Sequence, residues 1–114
     1  MQHWNKGAGY KFTNSDQCFG EEFSIPGAPI NIAVITIKGR YPETGYMYNV
    51  EAHEMAYVLS GSGKVSVKDG KTQTLVQGDV VYFSPMEKIA WDGDMQLIMP
   101  CSPAFDPAKH KEDK

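Results

Sequence analysis

The sequence predicts an all-β domain, and three observations carry that reading. Strand-like runs recur at short intervals between glycines and prolines, no segment sustains an apolar repeat of 3.6 residues, and an Asp69-Gly70 dipeptide sits between two β-forming runs. With 114 residues, 41% of them hydrophobic and 11% aromatic, the chain has material for one core and not for a second.

Taken in order, the first strong strand is Ile30 to Lys38, where Ile32, Val34, Ile35 and Ile37 make both faces apolar, as in a strand covered on two sides, and Gly39 is expected to stop it. Tyr46 to Val50 and Glu54 to Ser60 are the next two, the second running into a turn at Gly61-Ser62-Gly63. Asp69-Gly70 supplies the positive φ angles of a two-residue hairpin turn, which sets a register: Lys68 faces Lys71, Val67 faces Thr72, Ser66 faces Gln73 and Val65 faces Thr74, with the valines inward. Gly78-Asp79 opens a strand from Val80 to Phe83, Pro85 ends it, and Ile89 to Trp91 and Met95 to Met99 complete the set. From Ser102 onward the chain reads as an extended tail, anchored by Phe105 and frayed beyond His110.

Charge and composition exclude several function classes. The 11 basic residues are scattered among 14 acidic ones, so no surface is expected to neutralise a phosphate backbone, and nucleic acid is not an expected partner. No apolar run has the length of a signal peptide core or a membrane span, so the expectation is a soluble, cytoplasmic protein without a membrane partner. Cys18 and Cys101 fit no CxxC pattern and read as reduced thiols rather than a staple.

Short strands around a tight hairpin suit a sandwich or a barrel equally well. Two motifs choose between them. Glu54 followed by six residues and Gly61, and then Gly78-Asp79 followed after the intervening Val80-Val81-Tyr82-Phe83-Ser84 by Pro85, resemble the paired signature motifs of the cupin superfamily, G-x5-H-x-H-x3-4-E-x6-G and G-x5-P-x-G-x2-H-x3-N. The resemblance covers about half the chain. It implies a cupin-type double-stranded β-helix, a jelly-roll-like barrel, over residues 29–101, with residues 1–28 as an N-terminal segment packing on it and residues 102–114 as a tail.

The resemblance also locates a site. In that family the motif histidines and the glutamate hold a metal. Here Met47 and Asn49 stand at the paired histidine positions with the four-residue spacer, or Tyr48 and Val50 with the three-residue one, and Ile89 at the third, so only Glu54 is retained. One carboxylate does not make a metal site, and no metal or other cofactor is expected. His53 is a tempting replacement, but as Glu54's neighbour on a strand it points to the opposite face, which makes a metal-dependent enzyme using His53 and Glu54 the rival reading. Glu54 is then a carboxyl group in an apolar barrel with Met47, Ile89 and Trp91 as walls. Burial favours its neutral form, and hydrogen bonding to Asn49 or pairing with Arg40 are further ways to satisfy it. Glu54 is the candidate catalytic residue, and Met47, Asn49, Ile89, Trp91 and Arg40 are the candidate ligand-binding residues.

On the strand from Glu54, the residues Ala56, Val58 and Ser60 share its inward parity, while Met55, Tyr57 and Leu59 face out. An outer row of three large apolar groups needs covering, by Phe12, Phe19 and Phe23 of the first segment or by a second copy, and a homodimer is the favoured expectation. The function these residues point to is a small-molecule pocket without tightly bound metal. It would serve recognition, or isomerase or lyase chemistry on a carbohydrate-like or carboxylate compound, with a non-catalytic binding or regulatory module as the alternative.

Overall fold

A computed structural model describes residues 1–114. It contains nine strands: β1 (Tyr10–Ser15), β2 (Cys18–Phe23), β3 (Asn31–Tyr41), β4 (Tyr46–Asn49), β5 (His53–Val67), β6 (Thr72–Val76), β7 (Val80–Phe83), β8 (Ile89–Ser102) and β9 (His110–Asp113). A three-residue 3-10 turn at Pro107–Lys109 is the only helical element. The fold is the all-β curled sheet that the sequence predicts. Strand β8 organises it, because it pairs with β3 along one edge and with β5 along the other. The sheet extends through β2 to β1 on the first side and through β6 and β7 on the second, and so closes round an interior. No helix is long and apolar enough to cross a membrane.

Glycine acts differently here from the expected strand breaker. Gly39 of β3 faces Gly93 of β8, and Gly93 also faces Gly63 of β5, so three strands meet at one level without side chains. A Cβ on Gly93 would lie 2.5 Å from the Cα of Gly63, closer than any real contact. The three strands bend through this waist instead of ending there. The stop expected at Gly39, the turn expected at Gly61-Ser62-Gly63 and the gap expected between Trp91 and Met95 are therefore all continuous strand.

The hairpin after β5 is present, with a different register. Asp69 takes the positive φ, 55°, while Gly70 does not. The Gly70 N–H donates to the Val67 carbonyl (3.0 Å) and the Val67 N–H to that of Lys71 (2.9 Å), so residues 68–70 form the loop. The pairs slip by one residue to Ser66↔Thr72, Val65↔Gln73 and Lys64↔Thr74. Lys68, relieved of facing Lys71, reaches the Asp113 carboxylate at 2.7 Å. Val65 is still buried, because β5's own alternation against β8 decides which face looks inward. That alternation breaks once, at a bulge between Val58 and Ser60, which turns Ser60 outward to solvent instead of into the interior.

The interior has two parts. Val58, Val65, Leu75, Met95 and Leu97 pack one end as a solid core. Trp91, 1% exposed, lies across the middle with Phe83 edge-on at 5.5 Å. Beyond it the barrel is hollow.

The two ends of the chain are both tied into the sheet. The N-terminal segment packs on the barrel by strand pairing, with the β1–β2 hairpin alongside β3. Phe23 packs against Trp4 and Phe12 turns into the hollow, so Met55, Tyr57 and Leu59 remain 39–43% exposed. The C-terminal residues are not frayed beyond His110. They form β9, paired with β4, and Asp113 is held by both Lys68 and Lys88 (2.9 Å). The two thiols are free. Cys18 faces Ile37 and Cys101 faces Asn31, six residues apart along β3, about 20 Å and far beyond disulfide reach.

Candidate functional site

The hollow end is a cavity of about 430 Å³, within the range of small-molecule sites. Its apolar walls come from residues whose sheet parity turns them inward, among them Ile35 and Ile37 of β3, Met47 of β4, and Ile89, Trp91 and Met99 of β8. Its mouth lies at β1, where Tyr10, Lys11 and Asn14 contribute.

Glu54 enters from β5, flanked across the sheet by Phe83 on one side and Cys101 on the other. Its carboxyl group makes no hydrogen bond, and burial raises its pKa above the usual carboxylate value. The Cys101 thiol is pushed up to about 12 by its own burial and by the Glu54 charge beside it, so it is not a thiolate nucleophile. Cys18, also on the wall, is pushed up to about 11 by burial.

His110 lines the same cavity from β9. Its Nε2 is 3.3 Å from the Tyr41 hydroxyl, and the Phe105 ring leans on it at 6.0 Å. Burial lowers its pKa, with Glu112 opposing, so the imidazole is held in its neutral form. The segment that carries it is tied to the barrel at Asn31, whose Oδ1 accepts from the Phe105 N–H (2.9 Å) while its Nδ2 donates to Glu22 (3.0 Å).

Of the residues expected to form the site, Glu54, Met47, Asn49, Ile89 and Trp91 all line this cavity. Arg40 does not. Its guanidinium donates to the carbonyls of Pro42 (2.6 Å) and Gly45 (2.9 Å) and lies over the Tyr46 ring, so the 42–45 loop holds it outside the cavity lining. Nor does Asn49 hydrogen-bond Glu54; its Oδ1 accepts from the N–H groups of Glu51 (3.0 Å) and Ala52 (2.8 Å). His53 is exposed on the outside, with Nδ1 2.5 Å from the Tyr82 hydroxyl, and cannot share a ligand with Glu54.

The donor set does not fit a resident metal. A thioether, an amide and an alkyl group stand where the family motif places histidines, and nowhere do three or more His, Cys, Asp or Glu side chains converge in a group that could hold an ion.

The reading from sequence missed His110, Tyr41, Asn31 and Phe105 as parts of the site. One signal was available. Asp106-Pro107 is a helix-start pair, and Asp106 does cap the 3-10 turn by accepting from the Ala108 N–H (3.0 Å), which marks the tail as structured.

Residues 42–97, from just before β4 to most of β8, match the profile of the EutQ-like cupin domain. No curated protein matches the sequence. Among solved structures, Streptomyces PAC13 with uridine superposes with a TM-score of 0.85 over 100% of this chain and 92% of that one, at 15% identity. A protein from Planctomyces limnophilus gives 0.81 over 96% and 95%, at 17% identity. Ectoine synthase from P. lautus gives 0.70 over 90% and 80%, at 15% identity. At such identities the likeness is one of fold.

Proposed function

The chain belongs to the cupin superfamily, and from that premise we propose that its barrel binds an uncharged, hydroxylated small molecule and catalyses metal-independent elimination of water from it. The observation that carries this reading is the pair that shares the cavity: a carboxyl group shifted up by burial and an imidazole shifted down by burial. A neutral carboxylic acid can donate a proton and a neutral imidazole can accept one, so the two are matched as acid and base. In the proposed step the His110 imidazole takes a proton from carbon, the electron pair forms the new double bond, and the departing hydroxyl leaves as water with the Glu54 proton. Proton return from His110 to Glu54 restores the site.

The charge of the lining supports the ligand class. Glu22, Glu54 and Glu87 face the cavity against a single lysine, Lys11, at its mouth. A phosphate or carboxylate on the ligand would meet no deep cation, now that Arg40 is accounted for, which favours the carbohydrate-like expectation over the carboxylate one. The structural relative Pac13 is described as a nucleoside dehydratase, which is compatible with this chemistry in such a barrel. The test is to incubate the protein with neutral β-hydroxy aldehydes and ketones and with nucleosides, following the ultraviolet absorbance of a new conjugated carbonyl. Turnover unaffected by EDTA is expected. Binding without turnover across the set would make the protein a binding module, and activity abolished by EDTA would restore the metal-dependent reading.

We further propose that two copies meet on the outer sheet face. Met55, Tyr57 and Leu59 of β5, Val80 and Tyr82 of β7 and Ile32 of β3 are 39–53% exposed there. None of these six side chains carries a charge, so a second copy seated on them meets no like-charge repulsion from them. Sedimentation is expected to show a dimer at micromolar concentration and a monomer for Tyr57→Lys. A monomeric parent at all concentrations would remove the proposal.

A further inference from the structure

Asn49 presents an unusual balance of hydrogen bonds. It is 5% exposed, lies in the cavity wall, and is directly opposite His110 in the β4–β9 ladder, so the two side chains leave the sheet on the same face as cross-strand neighbours. Both partners of its side-chain oxygen are backbone N–H groups, those of Glu51 and Ala52, which fixes the orientation of the amide: the oxygen must face the loop. The Nδ2 end is buried and has no hydrogen-bond partner in the protein. Buried donors are almost always satisfied, and one left open beside a candidate base points to a ligand acceptor.

We propose that Asn49 is a catalytic hydrogen-bond donor, its Nδ2 binding a carbonyl oxygen of the substrate next to the carbon from which His110 takes the proton. This rests on the acid–base reading of the site and narrows its substrate class to β-hydroxy carbonyl compounds. As the carbon–hydrogen bond breaks, its electron pair moves to the carbonyl oxygen, and the Asn49 amide holds the resulting enolate. The enolate then re-forms the carbonyl, the carbon–carbon double bond appears, and the β-hydroxyl departs with the Glu54 proton. A fixed donor aimed at the oxygen where charge develops acts in the transition state more than in the ground state.

Cyclohexane-1,3-dione, which presents an enolate oxygen on a small ring, and cyclohexane-1,3-diol, which has the same skeleton with no carbonyl, separate the donor from simple cavity filling. The parent is expected to bind the dione at least about tenfold more tightly than the diol. Asn49→Asp keeps an acceptor for the Glu51 and Ala52 N–H groups and deletes the donor; it should lose the preference for the dione while binding the diol as the parent does. In the ¹⁵N-labelled parent, the dione should displace the Asn49 side-chain amide resonances and the diol should leave them in place, a readout that needs no variant and that also separates a lost hydrogen bond from repulsion by the new carboxylate. A parent that shows no preference for the dione, or Asn49 amide resonances that ignore it, would overturn the proposal. Neither measurement requires turnover, so failure of the acid–base reading shows separately, as elimination that proceeds normally in the Glu54→Gln variant.

Discussion

Glu54→Gln is expected to lower kcat/KM by about 10²–10⁴-fold and to remove the alkaline limb of a bell-shaped pH profile. On the proposed roles, the acid limb is assigned to His110, which must be neutral to accept a proton, and the alkaline limb to Glu54, which must keep its proton to donate it; burial shifts each group in the direction its role requires. Glutamine preserves the shape and cannot titrate, so only the second limb should vanish. The same substitution has a stability signature that needs no substrate. Burial raises the folded-state pKa of Glu54 above its ordinary value of 4.5, so the folded protein binds this proton more tightly than the unfolded chain does. The stabilisation that follows is complete below about pH 4.5 and is lost as pH rises through the folded value. Glu54→Gln should therefore melt a few degrees above the parent at pH 8, with the advantage disappearing at pH 4, and Glu54→Leu should behave likewise while also losing activity. A parent and variant that keep a constant difference in melting temperature across this range would show that Glu54 does not titrate in a desolvated site.

Gly61→Ala is expected to destabilise the fold by about 3 kcal/mol or more, lowering the melting temperature by roughly 10 °C. Gly61 sits at φ +80°, and a Cβ there would lie 2.1 Å from the Asp94 carbonyl oxygen, where β5 crosses β8. Backbone cannot yield as a flexible side chain can. Gly27 is the control, because it has the same φ of +80° and nothing within 4 Å of a built Cβ. Gly27→Ala carries only the conformational penalty, about 1–2 kcal/mol. Thermal denaturation of both variants separates strain from collision, and equal losses would mean that the strand crossing is looser than described.

These two residues show why part of the molecule was legible. The spacing from Glu54 to Gly61 survives because each end answers to a local physical demand, one to the cavity and the other to the crossing of two backbones. Alternation along β5 likewise placed Ala56 and Val58 inside and Met55 and Tyr57 outside correctly. What could not be read was long-range partnership. Arg40 looked like a free cation because its partners are backbone carbonyls of the following loop, which carry no signature in side-chain chemistry. The glycines of β3, β5 and β8 looked like stops because only the folded sheet shows that they meet one another. His110 looked like part of a charged tail because its burial depends on β4, far earlier in the chain, and on Asn31 catching the Phe105 N–H.

The division of the cavity between a central strand and the last one has a practical side. Glu54 belongs to β5, which is paired along both edges, whereas His110 belongs to a four-residue strand with a single neighbour, latched by Asp113 between two lysines. An affinity peptide joined after Lys114 begins one residue from that latch, and a Cβ on Gly45 would already lie 2.3 Å from the Asp113 carbonyl oxygen, so the space there is tight. Purification handles belong at the other end of the chain, where Met1 is fully exposed and the first strand begins only at Tyr10. A preparation tagged after Lys114 that binds no ligand would report on the handle before it reports on the barrel.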